Sequence, residues 1–136
     1  MNLINQLIDV RILLASVCDG FENNGKSASL SARLKILFLL EKGDCSPNEL
    51  ITKLCVAKSN IANMLKAMIS ENLVESYRES NNSKNVYYKI TDRGQIKLNN
   101  YKNKLVDEIK DRIDHESELS QHLLSIINIL KGNKHD

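Results

Sequence analysis

Asn60 and Asn63 stand three residues apart, with Lys58, Ser59 and Lys66 around them, and this set of side chains is equipped for one kind of chemistry. On a helix, a spacing of three puts both amides on one side, a turn apart. An asparagine amide can pair bidentately with N6 and N7 of adenine in a major groove, at about 1–3 kcal/mol of discrimination per good pair. Lys58, Ser59 and Lys66 suit phosphate oxygens, contacts that set register without reading sequence. Further along, Arg78 and Lys84 would hold the adjacent backbone or minor groove. Together these residues point to double-stranded DNA as a partner.

Other candidate groups are weaker. His115, Glu118 and His122 fall at i, i+3 and i+7, so one helical face would present all three to a metal. The run crosses a break expected near Glu116-Ser117, and no Cys or fourth ligand is placed beside it. No metal is assigned on this basis. The three cysteines, Cys18, Cys45 and Cys55, have no C-x-x-C spacing, and their odd number argues against a disulfide framework. Cys18 lies among apolar residues and reads as a small core side chain. Cys45 and Cys55 flank the short helix and read as structural cysteines. The place of Cys45 just before a helix N-terminus, which would favour a lowered pKa, keeps a thiol-responsive role open as an alternative. There is no nucleophile–base pair, Gly-rich phosphate loop or H-E-x-x-H motif, so the chain reads as no enzyme and calls for no cofactor.

The DNA-directed residues need elements to hold them. From Asn2 to about Phe21, the residues Leu3, Leu7, Val10, Leu14, Val17 and Phe21 recur at steps of four and three, a coiled-coil-like seam widened by Ile4, Ile8 and Ile12. After a loop at 22–27, a helix from about Ala28 to Lys42 is apolar on most sides and should be the central buried one. Gly43 is expected to end it in the left-handed conformation. Ser46-Pro47-Asn48-Glu49 combines an N-cap, a proline at the first helical position and a capping-box glutamate. A short helix to about Leu54 follows.

After a tight turn at Cys55-Val56-Ala57 comes a second helix, Lys58 to Glu71, with Ile61, Met64, Leu65, Met68 and Ile69 as its inward face. Asn72 supplies its left-handed stop. This is helix-turn-helix geometry. The period then shortens: Leu73–Arg78 and Val86–Ile90 read as a β-hairpin around a polar turn. Thr91-Asp92-Arg93-Gly94 caps a long helix whose stripe is Leu98, Tyr101, Leu105, Ile109 and Ile113. A last amphipathic stretch carries Leu119, Leu123, Ile126, Ile127 and Leu130.

Composition agrees. Hydrophobic residues make up 42% of 136 residues but aromatics only 4%, with no Trp, so an aliphatic, helix-on-helix core is expected. A single Pro and five Gly leave long stretches without a helix breaker. The net charge of +2 excludes a polybasic arm, yet Lys53–Lys89 holds six basic side chains against three acidic ones, as a phosphate-facing surface would. There is no basic leader at Met1-Asn2-Leu3 and no apolar run near the ~18 residues of a membrane span. A cytoplasmic protein without a membrane partner is expected.

The order helix, helix, helix-turn-helix, hairpin, long helix, terminal helix resembles the MarR family of bacterial transcriptional regulators over nearly the whole chain. The residues that carry the resemblance are Asn60–Leu65 through Asn72-Leu73-Val74, and Ile90-Thr91-Asp92-Arg93-Gly94. They are similar to the family's recognition helix running into a G-L-V strand start, and to its L-T-x-x-G after the wing. The sequence departs from that pattern in three places. Asn82-Ser83-Lys84 stands where the family often has Asp-x-Arg, Asn63 where many relatives carry Arg, and Ala57 where they carry an N-capping Ser.

The resemblance implies a mainly α fold with a small β-hairpin wing. The winged helix-turn-helix lobe would span 28–94, and 1–24 with 95–132 would form a helical dimerisation region. Leu3, Leu7, Val10, Leu14, Leu119, Leu123, Ile127 and Leu130 would form the homodimer seam. A dimer would bind a pseudo-palindromic operator as a repressor. A small-molecule effector would be held between lobe and dimer helices, where Tyr101, Phe38 or Phe21 would line the pocket. The alternatives are a winged-helix protein-interaction module without DNA binding, or a thiol- or metal-responsive regulator.

Overall fold

The computed structural model of the chain describes residues 2–18, 27–54, 56–80, 84–110 and 115–132. The elements run α1 (Asn2–Cys18), α2 (Ser27–Lys42), α3 (Pro47–Leu54), α4 (Lys58–Ser70), β1 (Val74–Arg78), β2 (Val86–Ile90), α5 (Asp92–Lys110) and α6 (Glu116–Leu130). The fold is mainly α with a two-stranded wing, as the periodicities imply.

The core sits around α2, whose Leu34, Ile36, Leu37 and Leu40 are buried against Leu50 of α3, Ile61, Leu65 and Met68 of α4, Val74 of β1 and Leu98 of α5. Among the described residues no aromatic ring is fully buried, so this is the aliphatic core the composition implies. Phe38 departs from the expectation that α2 is the central buried helix. Its ring is 42% exposed, with the Lys42 and Lys102 ammonium groups 4.3 and 5.6 Å from its centroid. The ring is therefore partly open to solvent in the single chain. Tyr101 packs against the core, and Phe21 lies outside the described residues.

Helix ends follow local chemistry, with one correction. The Ser46 N–H donates to Glu49 Oε1 at 2.9 Å and the Glu49 N–H to Ser46 Oγ at 3.2 Å, the reciprocal capping box. Gly43 does not take up a positive φ; the chain leaves α2 through a short-range bond from the Gly43 N–H to the Leu40 carbonyl, 3.2 Å. Asn72 does turn left-handed, at φ 62°. The Leu73 N–H then reaches Met68 O and the Asn72 N–H reaches Ile69 O, both at 2.9 Å, a Schellman stop with the buried Leu73 and Met68 at its apolar contact.

β1 and β2 pair antiparallel, with Val74 opposite Ile90 and Tyr77 opposite Tyr87. A third edge was not legible in the sequence. Cys45 exchanges both backbone hydrogen bonds with Tyr88, at 3.1 and 2.8 Å, so β2 lies between β1 and this single-residue bridge.

The two motif segments meet behind the hairpin. The Thr91 hydroxyl donates to Asn72 O at 2.6 Å and accepts the Gly94 N–H at 3.0 Å, while the Thr91 N–H donates to Leu73 O at 3.1 Å. Thr91 thus caps α5 and fastens it to the turn that ends α4. Gly94 is buried in this junction. A Cβ there would collide with the Leu73 carbonyl oxygen and stand 2.9 Å from Ile90 Cγ1 and 3.2 Å from Leu37 Cδ2. Two of these neighbours belong to elements packed on both sides, so neither can give way freely.

The terminal helices are different. Residues 2–14 of α1 are all exposed, and α6 buries no residue. Leu3, Leu7, Val10 and Leu14, with Leu119, Ile127 and Leu130, stand between 37% and 72% exposed, and Leu123 is half-buried.

Gly94→Ala should lower folding stability by about 1–3 kcal/mol, the usual cost of overpacking a tight core. Urea unfolding would measure it; an unchanged midpoint would mean that the α4–β1 turn and the start of α5 can separate.

Candidate nucleic-acid interface

α3 and α4 form the helix-turn-helix, with α4 outermost. Ala57 occupies the N-cap of α4 at φ −59° and ψ 144° and offers no side-chain cap. Its carbonyl accepts the Asn60 and Ile61 N–H groups at 3.0 and 3.1 Å. Lys58, Ser59, Asn60, Asn63 and Lys66 are all exposed on α4, so the structure brings the expected helix residues onto one element.

Their angular order is more informative than their spacing. At about 100° per residue, the direction opposite the buried Ile61, Leu65 and Met68 is held by Ser59, Asn63, Lys66 and Ser70. Asn60 lies roughly 70° to one side of this ridge, the side on which Glu71 meets α2. Lys58 and Ala62 lie on the other, bordering a groove with Pro47 and Ile51 of α3. Asn63 is therefore central and Asn60 peripheral. Ser70 is engaged locally, its hydroxyl donating to Ala67 O at 2.8 Å.

Electrostatically, α4 holds two lysines and no carboxylate between Lys58 and Ser70. The nearest carboxylate, Glu71, is gripped at both oxygens by Arg33 Nη1 from α2, at 2.8 and 2.7 Å. That pair offsets the one negative charge at the end of the helix. Among the described residues no ion pair engages Lys58, Lys66 or Lys84.

The hairpin stands beside α4. Arg78 closes β1 and Lys84 lies just before β2, both exposed; Asn82 and Ser83 of the turn fall outside the described residues. A tyrosine holds the hairpin in place, and sequence reasoning missed it. The Tyr77 hydroxyl crosses from β1 to donate to Asp44 Oδ2 at 2.6 Å, over the Tyr87 ring, whose centroid is 5.9 Å from that of Tyr77. The Asp44 carboxylate that accepts this bond keeps the phenol protonated and pushes its pKa up to about 12. The hydrogen bond of Tyr87 to Glu79 raises that phenol as well. Nothing local in the sequence joins position 44 to 77; only the alternating exposed row of the hairpin pairs Tyr77 with Tyr87.

The lowered pKa on which the thiol-responsive alternative rests is corrected. Cys45 is 2% exposed, its Sγ donates weakly to Gly43 O at 3.5 Å, and burial pushes its pKa up rather than down. Desolvation outweighs any pull from the neighbouring helix end. The side chain of Cys18 and the whole of Cys55 lie outside the described residues. His115 occupies the N-cap position of α6, with Glu118 and His122 exposed on the helix after it. Among the described residues no three His, Cys, Asp or Glu side chains gather into a metal-binding group, and no helix is long and apolar enough to cross a membrane.

Residues 31–86, from within α2 to the start of β2, match the MarR family model. The whole fold superposes on solved structures of transcriptional regulators. The transcriptional regulator PA4135 superposes at a TM-score of 0.69 and 21% identity, covering 98% of each chain. BldR from Sulfolobus solfataricus does so at 0.65 and 22%, over 94% of this chain and 99% of its own. Wild-type MarR from E. coli, in its apo form, gives 0.62 and 20%, over 93% of this chain and 94% of its own. A comparison with curated protein sequences gives no match.

Two outcomes are expected. Tyr77→Phe should leave the fold intact but speed amide exchange at 86–88, where hydrogen exchange would detect the loosened wing; unchanged protection would show that the Tyr88–Cys45 bridge suffices. In a Cys18→Ser/Cys55→Ser variant, Cys45 should resist maleimide at neutral pH until the protein is unfolded. Fast labelling of the folded form would restore the thiol-responsive alternative.

Proposed function

We propose that the chain is a homodimeric DNA-binding regulator that represses transcription by occupying a pseudo-palindromic operator. The observation that carries this reading is the outer face of α4. It presents amides, hydroxyls and lysines with no carboxylate, and the Arg33–Glu71 pair offsets the nearest one. Such a face matches a groove lined by phosphates and hydrogen-bonding base edges. Arg78 and Lys84 of the hairpin, both exposed, would then contact the adjacent backbone.

A single module makes few contacts, and a dimer doubles them. The apolar side chains of α1 and α6 support a second copy as their cover, because a monomer leaves them in water. Leu3, Leu7, Val10 and Leu14 would meet Leu119, Leu123, Ile127 and Leu130 across the two-fold axis. The family resemblance supports release by a small-molecule effector, with Tyr101 and Phe38 as the candidate rings among the described residues. A cytoplasmic location is part of this reading.

The test pairs sedimentation with DNA titration at several salt concentrations. The wild-type protein should sediment as a dimer and bind duplex DNA with an affinity that falls steeply with salt. Lys66→Ala should weaken binding evenly across sequences and reduce the salt slope by about 1. Leu7→Glu with Ile127→Glu should give a folded monomer with little DNA affinity. A folded dimer that binds no duplex even at low salt would sink this reading and favour a protein partner for α4.

A further inference from the structure

The ridge of α4 assigns unequal roles to side chains that the sequence alone leaves equal. Along Ser59, Asn63, Lys66 and Ser70, three of the four side chains are short, and Ala62 and Ala67 flank them. Short neighbours let a helix backbone come close to the base edges. A side chain no longer than asparagine can then reach them directly. Lys66, the long member, ends in a point charge that suits phosphate.

Asn63 is thus the one ridge residue that carries both a donor and an acceptor at fixed separation. That pattern complements adenine, which offers an acceptor at N7 and a donor at N6. Guanine offers two acceptors, N7 and O6, so the amide oxygen would face O6 unpaired. The described part of α4 contains no arginine to favour guanine. Asn60, turned toward α2, cannot take the same central position while Asn63 points into the groove.

We propose that Asn63 is the principal base-reading residue and that each half-site of the DNA target presents to it the adenine of an A·T pair. This rests on the DNA-binding reading above and adds the substrate class to it. Asn60 contributes at the edge of the contact, and Lys58 and Lys66 position the helix without choosing the base.

The full chain would be used to select from a random-sequence duplex library. The enriched duplex would then be titrated beside versions with one base pair changed at a time. For wild-type protein, replacing the critical A·T pair by G·C should cost about 5- to 150-fold in affinity. Asn63→Ala should lose the distinction at that pair and keep its salt slope, whereas Asn60→Ala should keep the distinction. Asn63→Arg should turn the preference toward G·C. Circular dichroism would establish that each variant is folded, and Asn63→Gln, which keeps the amide, provides a second reading of the same pair. An enriched site in which no A·T pair depends on Asn63 overturns the assignment and leaves DNA binding standing. If the folded dimer enriches no duplex and none is retained at low salt, the DNA-binding reading falls and the assignment falls with it.

Discussion

The junction of Asn72, Leu73, Thr91 and Gly94 is the contact on which the rest of the lobe depends. The left-handed turn at Asn72 ends α4 and aims β1, and the Thr91 hydroxyl ties the end of the hairpin to that turn. Because Gly94 has no Cβ, the Leu73 carbonyl can lie against the first turn of α5. The direction of α4, the angle of the hairpin and the start of α5 are therefore set at one place. A few ångströms of separation there would move the exposed face of α4 relative to the wing. Two segments far apart in the chain, each resembling a family motif, prove to be two halves of a single contact.

From that junction outward, polar pairs hold the surfaces in position. Arg33 and Glu71 link α2 to the end of α4, and Lys102 and Gln95 of α5 both bond Glu41 of α2, each at 2.7 Å. Pairs as exposed as these contribute little to stability, on the order of 0–1 kcal/mol. Their larger effect is on the distribution of charge. Arg33 offsets the carboxylate closest to α4, so the face left to solvent is neutral or positive. Tyr77 does the equivalent for the wing, joining β1 to Asp44 across β2. The hairpin is thereby anchored to the segment between α2 and α3 and does not rely on its two strands alone, which in isolation are marginal.

The terminal helices carry the opposite property. The apolar arc of α1 extends beyond one seam, with Ile4, Ile8, Ile12 and Leu13 exposed beside Leu3 and Leu7. Exposed apolar side chains on this scale, gathered on two helices, are a feature of interaction surfaces rather than of isolated monomers. The contrast with the lobe is physical. Inside the lobe the aliphatic side chains reach zero exposure, while on α1 and α6 the same residue types remain in water.

Much of the fold was legible because its signals are local. The capping box at Ser46–Glu49, the 3/4 spacing of Ile61, Leu65 and Met68, the stop at Asn72 and the alternation around Tyr77 and Tyr87 each involve neighbours in sequence. Period and cap chemistry suffice to place such elements within a residue or two. The surface residues of the candidate interface, Lys58 to Lys66, were legible for the same reason, since a helix and its buried stripe determine which side faces out. Tertiary structure alone decided the rest. It placed Cys45 as a buried bridge to Tyr88, so that desolvation raises a thiol that helix position alone suggested would be lowered. It turned Phe38 outward beneath two lysines, joined Asp44 to Tyr77, and put Glu71 in the grip of Arg33. These depend on which distant surfaces meet and on how much water is excluded there. A local pattern carries neither kind of information.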